Sequence, residues 1–93
     1  MEYELIFTDS YKKKEKQFLK QHKDLVIAYD KTMSLLGVNP FYPALRLHKL
    51  NGKIREYYSV SINMQYRIVI DFVIQDGKII PLDIGDHSIY RVR

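Results

Sequence analysis

YYSVSINMQYRIVIDFVIQDGKIIPLDIG, residues 57–85, decides the fold. Three segments within it alternate with the period of two that sends successive side chains to opposite faces of a strand. In the first, which reaches back to Arg55 as REYYSVSIN, Tyr58, Val60 and Ile62 point one way, and Tyr57, Ser59, Ser61 and Asn63 the other. In YRIVIDFVI, Ile68, Ile70 and Phe72 oppose Arg67, Val69, Asp71 and Val73. Asp76-Gly77 is a hairpin pair leading into KIIPLDIG, where Ile80, Leu82 and Ile84 give the last strand its apolar face. Sequential strands with short connections predict an antiparallel meander.

Toward the N-terminus the period changes. EYELIFT alternates Tyr3, Leu5 and Phe7 and predicts a strand, after which Asp9 or Ser10 can cap a helix. That helix runs from Tyr11 to about His22 with Phe18 and Leu19 as its buried candidates. Val26, Tyr29, Met33 and Leu36 recur at helical steps and predict a second helix, antiparallel to the first. Gly37 and Asn39-Pro40 stop it, and Pro40 and Pro43 keep the arm up to Leu45 extended. The order implies an α+β domain: an N-terminal strand, a two-helix antiparallel hairpin, then a three-strand antiparallel meander in one sheet packed on the helices. If Ile68 faces the helices, Arg67, Ser61 and Asp83 face away, on a concave polar surface left for function.

A chain of 93 residues has room for one domain, spanning residues 1–93. Without cysteine there is no disulfide, thiolate zinc site or cysteine nucleophile. No apolar run approaches the roughly 18 residues of a membrane span, and MEYELIFTDS lacks a signal-type pattern, so a cytoplasmic protein is expected. The net charge of +4 is unevenly placed. From Arg46 to Arg67 there are five basic residues (Arg46, Lys49, Lys53, Arg55, Arg67) against Glu56 alone, and the remaining ten basic and ten acidic residues cancel. A surplus confined to mid-chain suggests a patch facing a polyanion or an acidic partner. The KKKEK run at 12–16 reads instead as a solvated lysine-rich surface.

Chemistry-bearing residues gather in RLHKLNG at 46–52, in the strand pair at 57–67, and in GDHSIYR at 85–91. No phosphate-binding glycine loop, dinucleotide fingerprint, zincin helix or calcium loop is present. His48 and His87 stand in unlike contexts without a third ligand, so no metal or other cofactor is expected. Two histidines, an arginine and a tyrosine are enough to cleave RNA through its own 2′-hydroxyl. One group near neutral pKa takes the hydroxyl proton, a cation holds the phosphate, and an acid protonates the departing 5′ oxygen. Arginine suits the cation's role because its fork binds two phosphate oxygens, and tyrosine can stack on a base. Tyrosines at strand period, Tyr58 among them, read as packing residues.

NPFYPALRLHKLNG at 39–52, YYSVSINMQYRIVIDF at 57–72 and PLDIGDHSIYR at 81–91 together resemble the RelE/ParE superfamily of small toxins from bacterial type II toxin-antitoxin systems, closest to its RelE-like and YafQ-like messenger-RNA-cleaving branches. The resemblance implies a metal-independent, ribosome-dependent endoribonuclease that enters the ribosomal A site. It also implies a cognate antitoxin and a toxin-antitoxin hetero-oligomer. Carried across, Arg67 would hold the scissile phosphate, His87 and His48 would transfer protons, and Tyr90 would orient the base. Arg46, Lys49, Lys53, Arg55 and Arg91 would contact RNA, the charged contacts being salt-sensitive and sequence-blind. Ser59 and Ser61 stand where active relatives place basic or acid-base residues; a hydroxyl can bond phosphate but brings no charge. ParE-like relatives with this fold poison DNA gyrase without cutting RNA, so a non-catalytic gyrase inhibitor or a weakened, protein-binding toxin is the alternative.

Overall fold

The structure, a computed structural model, describes residues 3–50, 57–73, 76–86 and 88–89. Its elements are β1 (Glu4–Leu5), α1 (Asp9–Gln21), a 3-10 turn (Lys23–Leu25), α2 (Val26–Val38), a second 3-10 turn (Pro43–Leu45), β2 (His48–Leu50), β3 (Tyr57–Ser61), β4 (Arg67–Val73) and β5 (Lys78–Gly85). The strands form one sheet in the order β1-β5-β4-β3-β2. β2 to β5 are antiparallel neighbours, whereas β1 lies parallel to β5 through Glu4↔Lys78 and Leu5↔Ile79. The α+β architecture is the expected one, with a fifth strand. β2 is three residues long and has no alternating apolar set, so its sequence reads as connecting arm; pairing to β3 makes it a strand.

Local chemistry sets the helix ends. Thr8, in extended conformation, caps α1 by accepting the Tyr11 N–H at 3.1 Å, so the cap lies one residue before Asp9. Asp9 instead stands in the first turn, where its charge complements the helix dipole. α2 continues through Gly37 to Val38 before Asn39 turns extended. The Gly37 carbonyl accepts the Tyr3 N–H at 2.7 Å, which stitches the incoming β1 to the end of α2. Pro43 opens a 3-10 turn rather than extended chain.

Tyr11, Phe18, Tyr29, Met33 and Leu36 from the helices meet Val60, Ile68, Ile70, Ile79 and Ile84 from the sheet in one apolar cluster, with Leu45 closing it from the arm. Tyr58 and Ile62 pack against the cluster, as their phase with Val60 requires. Each fully buried side chain of this size contributes about 1.5–3 kcal/mol relative to exposure. Val26 is more exposed than the helical spacing implied. Tyr11 is wholly buried, with its hydroxyl 2.8 Å from that of Tyr29, and Tyr29 donates its single proton to Glu15 Oε2 at 2.5 Å. Tyr11 must therefore donate to Tyr29. Burial is the main force holding both phenols above the ordinary tyrosine pKa, with Glu15 adding to it in each case.

The far end of β5 departs from the expected phase. Val69 pairs with Asp83 but Ile70 pairs with Pro81, leaving Leu82 as an extra residue in a bulge. Before the bulge Ile79 belongs to the core, and after it Ile84 does; the apparent Ile80-Leu82-Ile84 face is a product of reading across it. The bulge also re-aims Asp83. Its carboxylate lies 3.9 Å from Lys14 Nζ on α1 and accepts the Ile84 N–H at 2.8 Å, so Asp83 does not sit simply beside Arg67 on the face away from the helices.

Because the folded phenols hold their protons more tightly than unfolded ones near pH 10, the unfolded chain loses protons first as pH rises, and stability falls in alkali. The expected slope above that pH is about 1.4 kcal/mol per pH unit for each tyrosine. Tyr29→Phe should make that slope shallower and cost about 1–3 kcal/mol at neutral pH by stranding the buried Tyr11 hydroxyl. Urea unfolding across a pH series measures both effects.

Candidate nucleic-acid interface

The register of the sheet builds the site. His48 pairs with Ser59 and Ser59 with Val69, making one row across three strands; Ser61 pairs with Arg67 and Arg67 with Gly85 in the row two residues along. Val60 and Ile68, between these rows, are in the core, so both rows belong to the face away from the helices. Two strand spacings of about 4.8 Å and one two-residue step of about 7 Å separate the Cα atoms of His48 and Arg67, roughly 12 Å in all. An imidazole and an extended guanidinium can span that gap around a single phosphodiester.

This face is less open than alternation alone suggests. Ser59 and Val69 have no exposed surface and Ser61 only 7%, and Asp71 is buried as well. The Ser61 hydroxyl donates to the Asn63 carbonyl at 2.6 Å. Both serines are thus sequestered, not presented as a polar surface. Arg67 keeps partial exposure and His48 is exposed.

Backbone geometry around His48 fixes its ring. Arg46 is the only non-glycine among the described residues in the left-handed region, at φ 50°, where its N–H ends the 3-10 turn by bonding the Pro43 carbonyl at 3.1 Å. The same reversal brings the Arg46 carbonyl to His48 Nδ1 at 3.2 Å. A carbonyl only accepts, so Nδ1 carries the proton and Nε2 of the neutral ring is the available base. The Arg46 guanidinium reaches the Met64 sulfur at 3.5 Å, at the tip of the β3–β4 hairpin. Asn63 shapes that hairpin by accepting the N–H groups of Gln65 and Tyr66 at 2.9 and 2.8 Å.

Not every candidate lies here. Lys49 is exposed but pairs with the core-packed Tyr58, which puts it on the other side of the edge strand from His48. Lys53, Arg55, His87, Tyr90 and Arg91 lie outside the described residues. Around the last of these, Asp86 caps a short turn by accepting the Ser88 N–H at 2.9 Å, and its carbonyl takes the Ile89 N–H at 3.2 Å. Gly85 is opposite Arg67, and a Cβ there would fall 2.7 Å from Ile89 Cγ2, so the missing side chain is what lets Ile89 close over the end of the strand.

Behind this face, sequence reasoning missed a groove of about 400 Å³ between α1 and the end of β5. His22, Phe18 and Tyr66 form a triangle of tilted and edge-on rings with centroids 4.5, 4.7 and 5.3 Å apart, with Lys14, Gln17, Gln21, Asp83, Asp86 and Ser88 around it. The signal was present: Phe18 and His22 are four residues apart on a helix, and Tyr66 faces opposite to its neighbour Arg67. Among the described residues no three His, Asp or Glu side chains gather to hold a metal ion, and no helix is long and apolar enough to cross a membrane.

No protein-family model matches the chain, and no curated protein matches it in sequence. Solved structures do. It is similar to a chain of the E. coli DinJ-YafQ toxin-antitoxin complex, at 20% identity over 96% of this chain and 97% of that one, with a TM-score of 0.75. It is similar to a chain of the archaeal RelE-RelB complex from Pyrococcus horikoshii, at 17% identity over 95% and 98% of the two chains, with a TM-score of 0.71. A metal-bound toxin from Helicobacter pylori matches at 20% identity over 95% and 97%, with a TM-score of 0.68. At these identities the likeness is one of fold.

Gly85→Ala should force Ile89 aside and loosen the turn that Asp86 caps, at a cost of about 1–3 kcal/mol. Thermal denaturation together with the Ile89 methyl resonances checks this: an unshifted methyl and an unchanged melting temperature would mean that the turn tolerates the side chain.

Proposed function

We propose that this chain, which folds as the RelE and YafQ toxins do, is the toxin of a type II toxin-antitoxin pair. Its single domain over residues 1–93 cleaves messenger RNA in the ribosomal A site and is neutralised by a cognate antitoxin in a hetero-oligomer. The observation that carries the reading is the juxtaposition of His48 and Arg67 in adjacent rows of one sheet face, with His48 Nε2 left as the base.

In this mechanism Arg67 grips the non-bridging oxygens of the scissile phosphate and offsets the charge that grows on them as the 2′ oxygen attacks. His48 Nε2 accepts the 2′-hydroxyl proton. The bond to the 5′ oxygen breaks, and that oxygen takes a proton from an acid, for which His87 is the candidate; a 2′,3′-cyclic phosphate and a 5′-hydroxyl result. Tyr90 stacks on the neighbouring base, and Arg46, Lys53, Arg55 and Arg91 hold the strand. No metal or other cofactor is needed for these steps.

A second reading has its own observation. Ser59 is fully buried and the Ser61 hydroxyl is already bonded to Asn63, so neither offers phosphate a ready contact. That favours a weakened toxin, or a ParE-like gyrase inhibitor acting through protein contact.

Induced expression in a bacterium, with messenger-RNA 5′ ends mapped within minutes, separates the readings. New in-frame cuts are expected with the wild type and none with Arg67→Ala, whose melting temperature should be little changed because Arg67 is outside the core. His48→Gln should slow cleavage by about 100-fold or more, the scale of general acid-base catalysis. Growth arrest without cuts would overturn the nuclease reading in favour of a gyrase or other protein target.

A further inference from the structure

α1 carries a second charged surface that the sheet face does not use. Taking Tyr11 as zero at 100° per residue, Phe18 falls about 20° away, while Lys13, Lys16 and Lys20 fall within about 60° of one another, centred near 180°. They point directly away from the core. With Gln17 and Gln21 they line a shallow solvent-facing depression, and all five side chains are exposed. Two neighbouring charges, Lys14 and Glu15, are diverted, while Lys12 is exposed on the flank of the stripe. Lys14 turns to the Leu82 carbonyl at 3.3 Å and to Asp83, and Glu15 is drawn inward by Tyr29. Only Asp9, a turn before Lys13, is acidic and in line with the stripe, and it serves the helix N-terminus.

We propose that the Lys13-Lys16-Lys20 stripe is a non-catalytic RNA-backbone docking surface, separate from the Arg67 face and on the opposite side of the sheet. Three ammonium groups lie over roughly 10 Å of helix axis, a length past which several phosphates of a nucleic-acid strand run. The interleaved glutamines offer amide donors and acceptors to phosphates and ribose hydroxyls. The stripe has no apolar side chain, which disfavours a lipid surface or the groove-seeking face of a partner helix. A chain with cations on both sides of its sheet suits a folded RNA that surrounds it better than a lone strand.

The test is binding of a fluorescent RNA stem-loop over a salt series, made in full-length Arg67→Ala protein so that cleavage plays no part in the readout. Changing Lys13, Lys16 and Lys20 together to Gln should lower the slope of log K against log salt by about 2 to 3, and Lys16→Gln alone by about 0.7–0.9. Melting temperatures should not move, and Lys31→Gln, on the exposed side of α2, should leave the slope unchanged. An unaltered slope in the triple variant overturns the proposal, as does loss of binding to a polyglutamate peptide with RNA binding intact, which would assign the stripe to an acidic protein partner. Either result leaves the nuclease reading standing, because cleavage was not measured.

Discussion

The Val60–Ile68 pair is the constraint on which the rest depends. Both side chains are fully buried under the helices, and they lie opposite one another across β3 and β4. A slip of one residue would carry Arg67 into the apolar layer and Ile68 out of it, so the register has no competitor of similar energy. With that row pinned, Ser61 must face Arg67, Ser59 must face Val69, and β2 then brings His48 to Ser59. The candidate chemistry is positioned by residues that take no part in it.

The helical layer adds a second, polar constraint. A proton chain from Tyr11 through Tyr29 to Glu15 ties α1 to α2 inside the core, and no buried side-chain nitrogen or oxygen among the described residues lacks a partner. The chain fixes the rotation of α1 about its own axis. That rotation decides which lysines meet solvent, sending Lys14 over the sheet edge and its neighbours outward. Packing and surface charge are therefore set by the same three side chains.

Much of this was legible from periodicity. The alternation in 57–73 gave the faces of β3 and β4 correctly because those strands run without interruption, and Asp76-Gly77 marked its turn, with Gly77 at φ 63°. β5 misled because a bulge changes the phase by one residue, and Pro81 inside an apolar run gave no hint of where the extra residue would fall. β2 was invisible because three residues carry too little pattern; only its partner makes it a strand. Tyr11 was overlooked as core because it opens a lysine run, and its burial comes from a partner 18 residues away. At the site, the types were readable but the accessibility was not, since burial of Ser59 depends on the packing of the whole sheet. Lys49 shows the same limit: its neighbour His48 shares its motif but not its face.

The pairing of β1 with β5 carries a consequence in time. Glu4 donates to the Gly77 carbonyl, Ile6 to that of Ile79, and Tyr3 to Gly37, so these backbone bonds of the first strand go to segments made later. Loop closure over such a separation is slow compared with the local hairpins. During synthesis, the N-terminal strand has no edge to join until β5 has been made. Residues 3–6 take their place only after residues 77–79 exist, so the rows that align His48 with Arg67 can begin to pair before the outer strand docks.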